Sequence, residues 1–264
     1  MRTPSGAPPR REVPTEELQR STAFVSPSDL WSPPPRAVVL DYGLTLATWQ
    51  NPRPALLRAM EEVRPWLGDD PPSAATIVDG ILGPIDAELP ALASLAEVDY
   101  LAHFARGWRR AGFELPAPTL YAILDREQGC WDAAARLAPD ALTTLDGLRS
   151  RGIRTALCSN APFPPEMVRR QLATVGVAQR MDAIALSSEI GRRKPARQLY
   201  EAALAALDVA PEDALFVGDQ PGEDVEGPRR IGMRAVLCQG LSRAAAPPGI
   251  PAIARLGELL ERIA

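Results

Sequence analysis

Five side chains in this sequence stand where phosphoryl-transfer chemistry needs them. Asp41 follows Ala37-Val38-Val39-Leu40, Ser159 follows Thr155-Ala156-Leu157-Cys158, Lys194 precedes Pro195, and Asp219 and Asp224 follow Leu215-Phe216-Val217-Gly218. A carboxylate such as that of Asp41 can attack phosphorus and form an acyl phosphate, which splits one difficult hydrolysis into two steps. Ser159 and Asn160 can bind a phosphoryl oxygen through a hydroxyl and backbone N–H groups. A cation at Lys194 can neutralise both the nucleophile and the transferring group. Asp219 and Asp224, facing a third carboxylate from another strand, make a hard oxygen site of the kind magnesium prefers. Each fragment alone also reads as ordinary structure, an aspartate capping a turn or a serine in a loop. The combination carries the argument.

The elements that would position these groups follow from the runs before them. Short, wholly apolar segments ending in a polar residue are the pattern of buried parallel strands, and open α/β sheets place ligands at the carboxyl ends of such strands. Strands are predicted near 37–41, 154–158, 182–186, 213–217 and 234–238, with helices near 139–151, 164–175, 196–208 and 223–231. This βαβ succession implies an α/β fold with a parallel sheet. The gap between the first two strands is too long for one crossover helix and must hold a second unit. That insertion, roughly 48–136, reads as helices over 54–67, 74–82, 92–111 and 116–137, placed where it would cap the site. Leu101, Phe104 and Trp108 fall at helical spacing on one apolar face. Trp108 and Trp131 are expected in the core, and His103, the chain's one histidine, on a solvated face. Arg192 and Arg193 are expected to be solvated.

Composition narrows the class. The chain has 264 residues, with 29 Lys and Arg against 33 Asp and Glu. Such a mildly acidic balance favours neither nucleic acid nor an anionic membrane surface as partner. A small phosphorylated molecule is the expected partner. Three cysteines at wide spacing form no CxxC pair, which argues against a disulfide framework and a structural zinc site. Cys158 is expected as a small buried hydrophobe. No run is long and apolar enough for a membrane span, and the N-terminus lacks the apolar segment of a secretory signal, so a reducing, cytoplasmic location is expected. Residues 1–35, rich in proline, serine and charge, read as a disordered or loosely docked arm that folding does not need.

In this order and with these strand contexts, the fragments resemble the haloacid dehalogenase-like superfamily, in particular its members with a helical cap inserted after the first strand. The resemblance covers residues 36 to 240 and is close from Ser188-Glu189-Ile190-Gly191 through Lys194-Pro195 to Gly218-Asp219, Asp224, Gly227 and Gly232-Met233. It implies a Rossmann-like three-layer core built from residues 36–47 and 137–264, with the cap at 48–136. It also implies Asp41 as nucleophile, and Thr45, Ser159, Asn160 and Lys194 around the phosphate. Mg²⁺ would be held by Asp41, the Gly43 carbonyl and Asp219, with Asp224 beside it.

One position departs from the pattern. In the phosphatases and mutases of the superfamily the second residue after the nucleophile is an aspartate that protonates the leaving group and then activates water. Here it is Gly43, and Leu44 replaces the glycine usual next to it. General acid or base catalysis is typically worth about 10²–10⁴-fold, so the loss is severe without being fatal. Three readings stay open: a Mg²⁺-dependent phosphatase, a non-catalytic phosphate and magnesium binder, and a carbon–halogen hydrolase. Similar dehalogenases carry tyrosine at the Gly43 position and do not use the metal, which speaks against the third.

Overall fold

The computed structural model describes residues 30–89, 94–242 and 245–263. The chain enters through β1 (Ala37–Leu40), turns into the short strand β2 (Ala47–Trp49) and continues through α1 (Arg53–Val63), α2 (Ala74–Ile77), α3 (Gly83–Glu88), α4 (Tyr100–Arg110) and α5 (Ala117–Ala134). It returns through β3 (Ala135–Leu137). Helix and strand then alternate as α6 (Ala141–Ser150), β4 (Arg154–Ser159), α7 (Pro165–Thr174), β5 (Ala183–Leu186), α8 (Ser187–Ile190) and α9 (Arg197–Leu207). The remainder is β6 (Ala214–Gly218), α10 (Gly227–Arg229), β7 (Arg234–Cys238), β8 (Ala252–Ile253) and α11 (Glu258–Arg262).

Six parallel strands form the main sheet in the order β5-β4-β1-β6-β7-β8. β1 lies near its centre and is buried on both faces. Val38 and Leu40 pack on one side with Leu145 of α6 and Leu172 of α7, while Ala37 and Val39 pack on the other with Leu199 and Ala203 of α9. Double-sided burial explains why these strands read as unbroken apolar runs instead of alternating. The result is the three-layer α/β core expected from the sequence.

The segment between β2 and β3 builds its own core from Met60, Val63, Ile77, Phe104, Trp108 and Ile123, to which Met167 of α7 also contributes. The antiparallel β2–β3 ribbon, with Ala47 opposite Leu137 and Trp49 opposite Ala135, forms its neck. Residues 135–137 are therefore strand, where a continuation of α5 was expected. Both ribbon strands are only three residues long, too short for a legible alternation.

Two further expectations change inside the insertion. Of the helix expected over 92–111, residues 92 and 93 lie outside the described residues, and α4 starts only at Tyr100, where Asp99 accepts a hydrogen bond from the Ala102 N–H at 3.0 Å. Its buried face is Tyr100, His103, Phe104, Gly107 and Trp108, whereas Leu101 is 40% exposed. His103 is not solvated. Its Nε2 donates to the Ile85 carbonyl at 2.9 Å, and Gly107, one turn on, lets Ile85 approach so closely that a Cβ there would lie 2.2 Å away.

Of the N-terminal arm, residues 1–29 lie outside the described residues. Its last part is docked: Leu30 is 2% exposed in the main core, and Arg234 Nη1 donates to the carbonyls of Leu30 at 3.3 Å and Pro33 at 2.6 Å. The Arg262 guanidinium lies over the Trp31 ring. Residues 30–33 thus pack on the core. Leu30→Ala is expected to lower unfolding free energy by about 2–5 kcal/mol, measured by urea denaturation. A change under about 0.5 kcal/mol would show that this docking contributes nothing.

Candidate active site

The carboxyl ends of β1, β4 and β6 meet at one place, and the loop before α9 supplies the charge that lets them do so. The Asp41 N–H donates to the Val217 carbonyl at 2.9 Å, extending the β1–β6 pairing by one residue and bringing Asp41 beside the end of β6. Lys194 Nζ donates to Asp41 Oδ1 at 2.6 Å and to Asp224 Oδ1 at 2.7 Å. Its ammonium also lies 5.4 Å from the centre of the Phe216 ring. Asn160 fixes the lysine's backbone: Oδ1 accepts from the Lys194 N–H at 2.7 Å, while Nδ2 donates to Glu223 Oε2 at 2.8 Å. One amide thus ties together the loops after β4, before α9 and after β6. Gly218 completes the closure, because a Cβ there would lie 2.3 Å from the Asp224 carboxyl.

Oxygens of Asp41, Asp219 and Asp224 lie within 4.8 Å of one another, and all three residues are buried. Burial pushes the Asp41 carboxyl up to about 7, with Lys194 pulling it back and Asp224 adding to the rise. Asp219 is raised for the same first reason, burial, and then by Asp224. Burial opposes charge on Lys194 as well, but Asp224 and Asp41 outweigh it and hold the ammonium well above its ordinary value. Three carboxylates around one ammonium leave an excess of negative charge in a place that disfavours it. A divalent cation with oxygen preference fits that excess. Asp41 and Asp219 are the better placed to hold it, since Asp224 spends one oxygen on Lys194 and the other on the Gln220 N–H at 2.9 Å.

The other predicted site residues fall as follows. Ser159 ends β4, buried at 6% exposure, and with Gly43 and Asn160 lines a cavity of about 380 Å³ between core and insertion. The Asn160 side chain is committed to bracing the loops, so its backbone is what remains for a ligand. Thr45 is buried, and its hydroxyl has no partner among the described residues; it lines a separate hollow with Asp140 and Cys238. Arg193, expected in solvent, is half-buried and paired with Glu97 of the insertion at 3.0 Å, whereas Arg192 is exposed. Trp108 is core as expected, but Trp131 lines the cavity. Cys158 is a buried hydrophobe, its thiol pushed up to about 12 by burial.

Sequence reasoning missed Asp86, Gln128 and Trp49 on the cavity wall and Glu223 beneath Asn160. Only Glu223 carried a signal, its place inside the acidic loop that holds Asp219 and Asp224. Tyr42 also lines the cavity, and its hydroxyl has no partner among the described residues. Gly43 has room: a Cβ on it would meet only Trp49, at 3.8 Å.

Residues 36–232 match the family model of haloacid dehalogenase-like hydrolases. A phosphoserine phosphatase of Thermus thermophilus is 38% identical over 125 residues, 47% of this chain and 49% of the relative. A phosphoglycolate phosphatase of Rhodospirillum rubrum is 35% identical over 112 residues, 42% and 45% of the two chains. The chain thus spans under half the length of these curated relatives. Among solved structures, a phosphatase of the same superfamily from Thermococcus onnurineus aligns with TM-score 0.60 at 22% identity, covering 85% of this chain and 96% of that one, a likeness that shows the fold.

The charge excess generates a test. Because the Asp41 carboxyl rises from 3.8 to about 7 on folding, its ionisation costs the folded state stability that is intact below the lower value and lost by about pH 7. Without divalent ions the melting temperature is expected to fall between about pH 4 and pH 7, and Mg²⁺ should raise it more at the upper end. Asp219→Ala should lose that Mg²⁺-linked shift. Identical responses of wild type and variant would mean that the metal binds elsewhere.

Proposed function

The chain belongs to the haloacid dehalogenase-like hydrolase family, and from that premise we propose that it is a Mg²⁺-dependent phosphatase acting on a small phosphorylated molecule. The observation that carries the reading is the Lys194 clasp, which holds a buried Asp41 and Asp224 in one hydrogen-bonded group at the strand ends. Asp41, Asp219 and the Gly43 carbonyl would hold Mg²⁺, which when bound neutralises charge on the carboxylates and on the transferring phosphoryl group.

In the first step an Asp41 oxygen attacks phosphorus, the ester P–O bond breaks, and the electron pair leaves with the alcohol oxygen. Lys194 steadies the nucleophile and the equatorial oxygens, and Ser159 donates to one of them. In the second step water attacks the phosphorus of the aspartyl phosphate, releasing phosphate and regenerating the Asp41 carboxylate. Gly43 has no side chain to protonate the leaving oxygen or take the proton from water, so both protons pass through solvent. The helical insertion acts as a cap that narrows access to the site.

This division of labour sets the preference for leaving groups. Aryl phosphates, whose leaving groups depart unprotonated, should be cleaved far faster than simple alkyl phosphates. Asp41→Asn should abolish both activities. Gly43→Asp, for which the backbone has room, should narrow the difference by roughly 10-fold or more. A wild type that binds a phosphate mimic yet is inert toward activated phosphates at every Mg²⁺ concentration would sink the phosphatase and leave a binding protein.

A further inference from the structure

We infer that the cavity between the insertion and the core takes a phosphomonoester whose organic part is apolar and bears no second negative charge. This deepens the phosphatase reading and rests on it for the phosphate end. The cavity, about 380 Å³, is lined by Gly43 and Ser159 at the strand ends and by the apolar side chains of Trp131, Phe163, Met167 and Leu89. Apolar walls of this kind favour an aromatic or aliphatic body through area removed from water.

The charged groups on the wall decide the rest. Among the described residues lining the cavity there is no lysine, arginine or histidine, while two are aspartates, Asp86 and Asp132. Asp132 is already satisfied: Arg170 Nε donates to it at 3.0 Å and Gln171 Nε2 at 2.9 Å. Arg170 does not reach the wall as a free cation, since it also pairs with Asp125. Asp86 accepts from the Tyr100 hydroxyl at 3.2 Å, its one hydrogen bond among the described residues, and burial raises its carboxyl while Tyr100 and His103 pull it back. Gln128, buried at 7% exposure, presents a neutral amide. A carboxylate or second phosphate on the substrate would leave water, meet no cation among the described residues of this wall and face Asp86. A hydroxyl or amine would find acceptors in Asp86 and Gln128.

The test uses non-hydrolysable phosphonates, so that leaving-group chemistry plays no part. Binding of benzylphosphonate and phosphonoacetate to the full chain with Mg²⁺ is compared by calorimetry. Benzylphosphonate is expected to bind at least about 10-fold more tightly, and Gln128→Arg, by supplying the missing cation, to narrow the ratio by a similar factor. If that variant does not fold, Asp86→Asn removes the opposing carboxylate and should narrow the ratio in the same direction. Phosphonoacetate binding as tightly as benzylphosphonate in the wild type, or no measurable binding of benzylphosphonate, overturns the inference. A wild type that keeps the preference but cleaves no phosphomonoester removes the phosphatase reading and leaves the ligand class standing.

Discussion

One ammonium group among three buried carboxylates is the constraint on which this site depends. Lys194 is 3% exposed, and Asp41 and Asp224, its two partners, are 6% and 0% exposed. Removing one partner of such a group leaves an uncompensated charge and costs about 3–5 kcal/mol, so the neighbourhood is built to keep the lysine in place. Asn160 holds its backbone, Phe216 lies against its ammonium, and Gly218 lets Asp224 come close enough to share it. Even so, charge is not balanced. The negative excess that a divalent cation can neutralise is the same excess that burdens the folded protein without one, so the site sets metal affinity against stability at this point.

The core was legible because its signals are local. β1, β4 and β6 are buried on both faces, so each declares itself as an apolar run, and each hands the chain to a polar residue at its carboxyl end. The insertion was less legible because its decisive contacts are tertiary. Nothing near His103 in sequence announces that the Ile85 carbonyl waits for its Nε2, or that Gly107 exists to admit the Ile85 side chain. Asp86 and Gln128 reach the cavity from different helices, with no shared spacing to link them. Leu30 and Pro33, in a stretch whose composition reads as disorder, are held by Arg234 from the far end of the chain.

The loop after Asp41 holds its shape at a cost in backbone strain. Leu44 sits at φ 55°, in the left-handed region that a glycine would occupy without strain. For leucine that conformation costs roughly 1–2 kcal/mol. The backbone accepts the cost because the turn is pinned on both sides, the Leu44 N–H donating to Ala47 at 2.7 Å while the Leu46 and Ala47 N–H groups share the Tyr42 carbonyl. The same loop leaves the space at Gly43 open up to Trp49.

The place of β1 in the sheet bears on how the chain reaches this state. β1 comes first among the described strands, yet it pairs with β4 on one side and β6 on the other, partners that lie over a hundred residues further along. Such non-local pairing is slow, because loop closure must be achieved before any contact rewards it. The segment between β2 and β3 is contiguous and has its own apolar cluster, so it can collapse while β1 still lacks partners on either edge. During synthesis β1 thus waits, wholly apolar, with both edges bare until β4 is made and one edge bare until β6 follows. Its shortness, four residues from Ala37 to Leu40, limits how strongly it can template pairing with another chain in that interval.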